Sequence, residues 1–374
     1  MRIGIDIRLL GENRRGFERY TRGLLAGLAA APGDHEYWLY STRKEGDPDL
    51  PNDPRMRLRF VPPCRHSFLW TNLALPKAVR QDRIDVFHFP ASSIWFRRGP
   101  PTVVTLHDIS PLLIPEVRPP SFAMRWYMRR IYAAIRRRAA HVITDSESSR
   151  ADIERVLRIP ARRLASIPLG VSPNSVSVAE ENPEPVLEPY FLYVGALDGR
   201  KNIPGMLEGF RRFLEREKSR HVLVLAGHSQ PSPGARYLDP REILATHPSA
   251  ERLRFLGEVS ESRLDALYRG AVATLLVSLY EGFGFPILES FACGTPVIAS
   301  NRSSCPEVAG NAGLLVDPDD PDAIAGALAR LASDPAERKR LADLGRLRTR
   351  AFTWETTARR TIEIYESVAR ERAP

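Results

Sequence analysis

The feature that most constrains the fold is a repeated alternation of short apolar segments with longer helical ones. The apolar segments are rich in β-branched residues, which is typical of strands buried on both faces of a parallel sheet. In the N-terminal half the predicted strands are Arg2–Ile7, Tyr37–Tyr40, Arg57–Val61, Ile84–Phe89, Thr102–His107 and His141–Asp145. The predicted helices are Tyr20–Ala30, Ser121–Ala140 and Glu147–Leu157, and Gly11–Gly16 is predicted to be a loop. Strands and helices that alternate in this way predict a parallel sheet with crossover helices.

A second series of the same kind fills the C-terminal half. It follows Val176–Pro189, a stretch rich in Pro and Glu that predicts a linker. Its predicted strands are Phe191–Gly195, His221–Ala226, Leu253–Phe255, Ala271–Leu279 and Thr295–Ala299. Its predicted helices are Ile203–Glu217, Ser260–Gly270 and those from Pro321 onward. We therefore expect an α/β protein with two Rossmann-like domains whose parallel sheets face a central cleft.

The composition is that of a globular protein. Of the 374 residues, 43% are hydrophobic and 26% are charged. No apolar run approaches the about 20 residues that a membrane-spanning helix needs. The N-terminus, Met-Arg-Ile-Gly-Ile-Asp, lacks the apolar core of a signal peptide, and Cys64, Cys293 and Cys305 lack metal-binding spacing. We expect a cytoplasmic protein with reduced thiols.

The net charge of +9 is unevenly distributed along the chain. Residues 1–185 contain 29 Lys and Arg against 20 Asp and Glu, whereas residues 186–374 contain 25 of each sign. The excess favours an anionic partner for the N-terminal half, such as a phosphate-bearing substrate, a membrane surface or a nucleic acid. A coding bias towards Arg is the alternative explanation.

Glu281 and Glu289 lie on either side of a loop that joins a predicted strand to a predicted helix. Between them, Gly282 and Gly284 permit backbone conformations that other residues resist, and Pro286 suits the first turn of a helix. Open α/β sheets bind anionic ligands where such a loop leads from a parallel strand into a helix N-terminus. The sequence therefore predicts two carboxylates beside a phosphate site.

Arg200 and Lys201 follow the strand Phe191–Gly195 and precede a predicted helix. Two cations at this position can bind a diphosphate, Arg through its planar guanidinium and Lys as a point charge. A pair of solvated surface charges is the alternative interpretation. The glycine loop and the helix start around them favour the diphosphate site.

Two further candidates lie in the N-terminal half. His107 ends a predicted strand, so its side chain is expected to face the crevice, where it could donate to a sugar or phosphate or act as an acid or base. Ser146 opens the helix Glu147–Leu157 and is expected to cap that helix or to contact the ligand. A structural role is the alternative for His107, and also for His88.

The helix Ser121–Ala140 combines aromatic residues with a basic stretch of seven arginines from Arg118 to Arg138. It is interpreted either as a core-packed helix with a solvated arginine face, or as a surface helix that lies on an anionic membrane.

Asp47-Pro-Asp49 and Asp317-Pro-Asp319 could be mistaken for a metal-binding acidic pair. Neither follows a predicted strand, so both are predicted to be turns, and no metal is expected.

Taken together, these segments resemble a retaining glycosyltransferase of the GT-B fold, family GT4, along nearly all of the chain. Glu281-Gly-Phe-Gly-Phe-Pro-Ile-Leu-Glu289 matches the EX7E motif of that family. Matches to neighbouring family segments are Val194-Gly-Ala-Leu-Asp-Gly-Arg-Lys-Asn202, Gly294-Thr-Pro-Val-Ile-Ala299 and Pro306-Glu-Val-Ala-Gly310. Gly16-Phe-Glu-Arg-Tyr20 resembles the N-terminal glycine loop, with Glu18 in place of a second glycine.

The resemblance implies a nucleotide-sugar donor and a role for each motif. Arg200 and Lys201 would hold the leaving diphosphate, and Glu289 the ribose. The residues that would hold the donor sugar are Glu281, Gly282, Phe283, Gly284 and Phe285. Gly257 and Val259 would border the base, and His107 would lie near the donor sugar and the reaction centre. Gly16 and Ser146 would contribute to donor binding. Residues 1–185 would bind the acceptor and 186–353 the donor, with the last helix, within 354–374, returning to the first domain.

The segments Thr-Leu-His-Asp-Ile-Ser-Pro and Gly-Arg-Lys-Asn are similar to those of mannosyltransferases of bacterial surface-polysaccharide assembly. GDP-mannose is the first choice of donor, ahead of UDP-sugars and dTDP-rhamnose, and the acceptor would be a glycan or lipid-linked glycan at the inner membrane face. A GT-B sugar-nucleotide epimerase and a non-enzymatic protein that binds an anionic polymer are the alternatives. A glycosidase is disfavoured because its two carboxyl groups must flank one bond. No helix-turn-helix, RRM or zinc module is visible, so no nucleic-acid partner is expected.

Overall fold

The computed structural model describes residues 1–11, 15–45, 50–96, 99–119, 121–171, 186–227 and 238–371. The chain folds into two compact units. The first comprises Met1–Ile109, Trp126–Gly170 and Phe352–Pro374, and the second comprises Ser110–Arg125 and Val171–Ala351. The segment Ser110–Arg125, predicted to belong to the N-terminal domain, is thus grouped with the second unit. Helices and strands are numbered below in chain order.

The first unit is built on a sheet of seven parallel strands in the order β3-β2-β1-β4-β5-β6-β7. The strands are β1 (Arg2–Asp6), β2 (Glu36–Ser41), β3 (Met56–Phe60), β4 (Val86–Phe89), β5 (Thr102–Thr105), β6 (His141–Thr144) and β7 (Leu164–Ser166). The α-helices are α1 (Arg15–Ala30), α2 (Ser67–Leu69), α3 (Leu75–Gln81), α6 (Glu147–Leu157), α14 (Trp354–Arg370) and the part of α5 (Phe122–Arg138) from Trp126 onward. Every residue of β4 and β5 is buried, as expected for central strands covered on both faces.

The second unit is built on six parallel strands in the order β10-β9-β8-β11-β12-β13. The strands are β8 (Tyr190–Val194), β9 (Val222–Ala226), β10 (Leu253–Gly257), β11 (Ala273–Leu276), β12 (Val297–Ser300) and β13 (Gly313–Val316). The α-helices are α4 (Ser110–Leu113), α7 (Ile203–Glu217), α8 (Pro240–Thr246), α9 (Glu261–Gly270), α10 (Phe285–Ala292), α11 (Cys305–Ala309), α12 (Pro321–Ser333) and α13 (Pro335–Thr349). The two sheets confirm the predicted pair of Rossmann-like domains.

The strand order reverses once in each sheet. The reversal lies between β1 and β4 in the first unit and between β8 and β11 in the second. The loops that leave two such neighbouring strands run in opposite directions, so a crevice opens at the carboxyl edge of the sheet. This reversal decides where each unit can hold a ligand.

The last helix, α14, packs on α1 within the first unit, which confirms the predicted return of the C-terminal helix. Gly23 and Gly27, one turn apart on α1, face Trp354 at the start of α14. A Cβ atom on Gly27 would lie 2.3 Å from the carbonyl oxygen of Trp354. Because glycine has no Cβ, the two helices can approach this closely.

Three expectations about local structure are wrong. Ala271–Leu279 was predicted to be one strand, but β11 ends at Leu276, and the apolar residues that follow are buried in a loop instead. The edge strands β7 and β13 were missed, because short edge strands carry a weak apolar signal. Gly16 was placed in a loop, whereas α1 begins at Arg15. The predicted linker residues 176–185 lie outside the described residues.

Candidate active site

The loops that follow β8 and β11 meet at the reversal point of the second sheet. The backbone N–H of Leu279 donates to the carbonyl oxygen of Arg200 at 2.7 Å. Asn202, in a left-handed conformation with φ 54°, donates from its side-chain amide to the carbonyl of Pro318 at 2.6 Å and to that of Val277 at 3.2 Å. These bonds join residues that are between 75 and 116 positions apart in sequence.

Lys201 and Glu281 form a buried ion pair in this crevice. Lys201 Nζ donates to Glu281 Oε1 at 2.5 Å, and Ser278 Oγ donates to the same oxygen at 2.7 Å. Lys201 is 8% exposed and Glu281 5% exposed, so Lys201 is not the solvated surface charge of the alternative interpretation. Burial acts to raise the pKa of Glu281, but the charges of Lys201 and Arg200 outweigh it, so the pKa is lowered and the carboxylate is ionised.

Arg200 lies between two carboxylates. Its Nη1 is 3.6 Å from Glu281 Oε2, and its Nε is 3.6 Å from Asp198 Oδ2. Asp198 also accepts from the backbone N–H of Arg200 at 3.2 Å, which caps the short 3₁₀ turn Gly199–Lys201. The side chain of Arg200 keeps a quarter of its surface exposed, so it is the more exposed of the two cations.

The loop after Glu281 is held by two serines that sequence reasoning missed. The backbone N–H of Glu281 donates to Ser303 Oγ at 2.9 Å, and Ser304 Oγ lies 3.0 Å from the Glu281 carbonyl and 2.8 Å from that of Phe283. Gly284, with φ 104°, then turns the chain into α10. The fixed loop presents the N-terminus of α10, whose partial positive charge favours an anion.

Glu289 lies in a different electrostatic environment from Glu281. It is the fifth residue of α10, 6% exposed, and its Oε2 accepts a hydrogen bond from the Tyr268 hydroxyl at 2.6 Å. Sequence reasoning placed Glu289 correctly in the first turns of the helix but missed Tyr268. The two glutamates therefore belong to separate polar groups, one around two cations and one around a neutral phenol.

Three neighbouring strands of the second unit end in glycine. Gly195, Gly227 and Gly257 follow or end β8, β9 and β10, with φ values of 150°, 145° and 65°. A Cβ atom on Gly227 would lie 2.3 Å from the Gly195 carbonyl oxygen. Gly227 therefore lets two loops approach closely, whereas no heavy atom lies within 4 Å of the Cβ position of Gly257. The sequence singled out Gly257 and Val259 here but missed Gly227, although a glycine after each of three strands was the available signal.

In the first unit, both ring nitrogens of His107 have a protein acceptor. Nδ1–H donates to Asp145 Oδ2 at 2.6 Å, and Nε2–H donates to the carbonyl of Pro90 at 3.1 Å. Phe17 and Tyr20 contact the ring edge-on, with centroids 5.0 and 4.8 Å away. Both N–H groups of the His107 ring therefore have acceptors within the protein, whereas the hypothesis requires one of them to donate to a sugar. Sequence reasoning did not identify Asp145 as the partner of His107. Asp145 directly follows β6, the strand next to β5.

The surroundings of His107 favour its protonated form. Burial acts to lower its pKa, but the charge of Asp145, the hydrogen bond to it and the Pro90 carbonyl together outweigh burial, so the pKa is raised. His88 has the opposite environment. Burial and the His107 charge lower the pKa of His88 to about 3, so its ring is neutral.

His88 belongs to a buried hydrogen-bonded chain that joins the sheet to the C-terminal helix. Its Nδ1 is 2.6 Å from the Tyr365 hydroxyl and its Nε2 is 2.8 Å from Thr105 Oγ1, which in turn is 2.8 Å from the Tyr20 hydroxyl. All four residues are at most 1% exposed. These contacts agree with the structural interpretation of His88.

The remaining N-terminal candidates have mainly local contacts. Ser146 Oγ accepts from the backbone N–H of Ser149 at 3.0 Å, which confirms that it caps α6. Gly16 lies in the first turn of α1, and no heavy atom lies within 4 Å of the position that its Cβ would take. That Gly16 contacts the donor stays a prediction.

No group of three His, Cys, Asp or Glu among the described residues could hold a metal ion. Asp317 directly follows β13, so the expectation that this acidic pair does not end a strand is wrong. Both Asp317 and Asp319 form ion pairs with Arg302, at 2.6 and 2.7 Å, so the pair shares one guanidinium. Asp47-Pro-Asp49 includes residues outside the described part of the chain. No helix that the structure describes is long and apolar enough to cross a membrane.

Comparison with known protein families gives two matches that together cover most of the chain. Residues 14–175 match the family described as Glycosyltransferase Family 4, and residues 178–348 match Glycosyl transferases group 1. O-antigen chain mannosyltransferase B of Escherichia coli is 32% identical over 271 residues, which is 71% of this chain and 70% of that protein. MMP alpha-(1->4)-mannosyltransferase of Mycolicibacterium hassiacum is 28% identical over 248 residues, which is 65% of this chain and 58% of that protein.

A comparison with solved structures supports the same fold. Sucrose-phosphate synthase from Thermosynechococcus elongatus superimposes with a TM-score of 0.75 over 98% of this chain and 99% of that one, at 24% sequence identity. At this identity the likeness shows the fold, and the predicted GT-B fold is confirmed.

Proposed function

This chain belongs to glycosyltransferase family 4, and on that premise we propose that it moves a mannosyl group from GDP-mannose to a hydroxyl of a glycan or lipid-linked glycan. The expectation of a hexosyltransferase is confirmed by the comparisons. Mannose is supported by the two relatives described above, whose names both specify mannosyl transfer. For a lipid-linked acceptor, we propose that transfer occurs at the cytoplasmic face of the membrane.

The observation that carries the proposal is the Lys201–Glu281–Arg200 cluster beside the N-terminus of α10. Departure of a nucleoside diphosphate builds negative charge on phosphate oxygens, and fixed cations stabilise that charge without rearranging during the reaction. Glu281 holds Lys201 in place, while the more exposed Arg200 can reach the phosphates. The α10 amides add partial positive charge on the same side.

The same cluster supports transfer with retention and without a metal ion. The Glu281 carboxylate is engaged by Lys201 and Ser278, which makes it a poor nucleophile towards the donor sugar. We propose instead that the acceptor attacks from the face that the diphosphate leaves, and that a departing phosphate oxygen takes the acceptor proton. In this scheme Arg200, Lys201 and the helix amides do the work that a divalent cation does elsewhere.

The first test is a thermal-shift screen with GDP, UDP, dTDP and ADP. A nucleotide that binds the folded state alone stabilises it by about 2.7 kcal/mol at a hundred times its Kd, so GDP should raise the melting temperature above the other three. Transfer from GDP-mannose should then survive EDTA. A shift with UDP alone would overturn the donor, and loss of activity in EDTA would overturn metal independence.

The second test replaces the buried ammonium. Lys201→Met keeps the length of the side chain but removes its charge, so the transfer rate should fall by about 10²- to 10³-fold, as when one transition-state donor is lost. Lys339→Met, at a lysine on α13 with 79% of its side chain exposed, is the matched control. A near-normal rate in a folded Lys201→Met protein would rule out the role given to this cation.

A further inference from the structure

The first two turns of α5 leave large apolar side chains exposed. Phe122 is 75% exposed, Trp126 53%, Met124 44% and Tyr127 40%. In the described part of the chain, four of the twelve exposed large hydrophobic residues fall in the six positions 122–127. Single exposed apolar residues are ordinary, but a cluster of this kind marks a surface that binds something.

The exposed residues of α5 form one stripe along its length. In the second half of the helix Ile131, Tyr132 and Ile135 are buried, which fixes the inner face. The opposite face, at helical spacing, carries the exposed residues Phe122, Trp126, Arg129, Arg130, Arg136 and Arg137. The Arg130 guanidinium lies 5.0 Å from the centroid of the Trp126 ring. This outer stripe is aromatic at its N-terminal end and cationic at its C-terminal end, over about 25 Å of helix.

The charged residues of α5 and of the segments that flank it in sequence have a single sign. The sequence contains no Asp or Glu from Val117 to Thr144, and seven arginines lie between positions 118 and 138. Arg163 Nη2 donates to the carbonyl of Arg136 at 2.6 Å, which adds a further guanidinium at the C-terminal end of α5. A helix with arginines and no carboxylates of its own, on the half of the chain that carries the whole net charge, is complementary to an anionic partner.

We propose that the outer stripe of α5 docks the protein on an anionic lipid bilayer. Phe122 and Trp126 insert at the headgroup level, and the arginines of the stripe meet lipid phosphates. A single convex helix that carries both aromatic and basic residues suits a bilayer interface better than a nucleic acid, which would leave Phe122 and Met124 without a role. The inference rests on the proposed function, because docking on the bilayer would bring the enzyme to a lipid-linked acceptor.

Vesicle co-sedimentation of the full chain tests the surface. The protein should bind phosphatidylcholine vesicles that contain phosphatidylglycerol, bind vesicles of phosphatidylcholine alone weakly, and be released by salt. Trp126→Ser combined with Phe122→Ser, or Arg129→Glu combined with Arg137→Glu, should each weaken binding by about tenfold or more. The matched controls are Leu347→Ser, at an exposed leucine of α13, and Arg269→Glu, at an exposed arginine of α9, which should both bind normally.

Tryptophan fluorescence separates insertion from a purely electrostatic contact. Trp126 is the only exposed residue among the five tryptophans, all of which the structure describes. Its emission should shift to the blue on the mixed vesicles and be quenched by lipids brominated in their acyl chains, and both effects should vanish in Trp126→Phe. Vesicle binding without a blue shift, or binding that the stripe variants leave unchanged, would overturn the proposal.

Two further outcomes would also count against it. Concentration-dependent dimerisation that Trp126→Ser abolishes would assign the stripe to a second copy of this chain. Tight, salt-sensitive binding of a soluble acidic polymer in preference to vesicles would assign it to that polymer. The thermal shift with GDP is the internal reference, because it should be unchanged in the stripe variants and so reports separately on the proposed transferase.

Discussion

Lys201 carries its charge where an isolated ammonium would be costly, since each buried ion loses several kcal/mol of hydration. Glu281 at 2.5 Å compensates that loss, and Ser278 satisfies the same carboxylate oxygen. Removing one member of such a pair costs about 3–5 kcal/mol, because the other charge stays buried without compensation. Substitutions here should therefore preserve shape and change only charge or hydrogen bonding.

Glu281 and Glu289 should separate into different kinetic effects. Glu281→Gln removes the charge that orients Lys201 and Arg200, so kcat should fall by about tenfold or more while the donor KM changes little. Glu289→Gln alters the carboxylate that accepts a hydrogen bond from Tyr268, so it should mainly raise the donor KM, by about tenfold if one charged hydrogen bond is lost. Steady-state kinetics with GDP-mannose at saturating acceptor measure both. The reverse pattern would mean that the two roles are exchanged.

The pair of His107 with Asp145 should give stability a definite pH dependence. The folded state raises the pKa of His107 above its ordinary value of 6.5, so the pair's full contribution is present below pH 6.5 and is lost as the pH rises through the folded pKa. Asp145→Asn removes the largest raising influence, so the folded pKa should fall and the loss should move to lower pH. NMR titration of the His107 ring and urea unfolding at several pH values measure these changes. A His107 titration that stays above 6.5 in Asp145→Asn would contradict the assignment.

At the scale of elements, the contact between α1 and α14 depends on the absence of side chains. Gly23, Gly27 and Gly170 all lie where an added Cβ would be within 2.3 Å of Trp354. At Gly27 the nearest atom is a backbone carbonyl oxygen, which cannot move aside as a flexible side chain could. The glycine spacing therefore lets the C-terminal helix pack closely on the first unit.

Gly27→Ala should destabilise the protein. The substitution gains about 1 kcal/mol of helix propensity but overpacks a rigid backbone contact, which costs about 1–3 kcal/mol and usually prevails. Gly326→Ala on α12 is the matched control, because no heavy atom lies within 4 Å of the added Cβ, so only the gain should remain. Urea unfolding curves compare the two. A Gly27→Ala protein as stable as Gly326→Ala would show that the helices are less tightly packed than described.

At the scale of the whole molecule, the first unit is assembled from both ends of the chain. Tyr365 on α14 hydrogen-bonds His88 on β4, and the two residues are 277 positions apart. In the sequence, most of the second unit lies between these two residues. Their contact is therefore a long-range contact within the first unit. The second unit comprises Ser110–Arg125 and the continuous stretch Val171–Ala351 and does not include this contact.

Tyr365→Phe should therefore loosen the first unit selectively. The substitution leaves the buried Nδ1 of His88 without its partner, at a cost of about 1–3 kcal/mol. Hydrogen exchange should accelerate in β1, β4, β5 and α1 but not in the strands of the second unit, as mass spectrometry of peptic fragments can resolve. Equal acceleration in both units would contradict the division of the chain.

Much of this protein follows from local pattern. The strands with strong apolar runs, the helices Ile203–Glu217, Glu147–Leu157 and Trp354–Arg370, and the placement of Glu281 and Glu289 around a strand–loop–helix turn were all predicted, because each depends on neighbouring residues. The edge strands β7 and β13 and the start of α1 were not, because their signals are weak or are overridden by packing.

The partners of the site residues follow from the order of the strands in space. Lys201 meets Glu281 because β8 lies beside β11, and His107 meets Asp145 because β5 lies beside β6. Ser303, Ser304 and Tyr268 reach the site from other loops and helices, with no spacing rule that links them to the motif. The sequence pattern indicates which functional side chains are present and on which helix, strand or loop each one lies. Their pairing, burial and charge state arise only when parallel strands bring distant loops to one edge of a sheet.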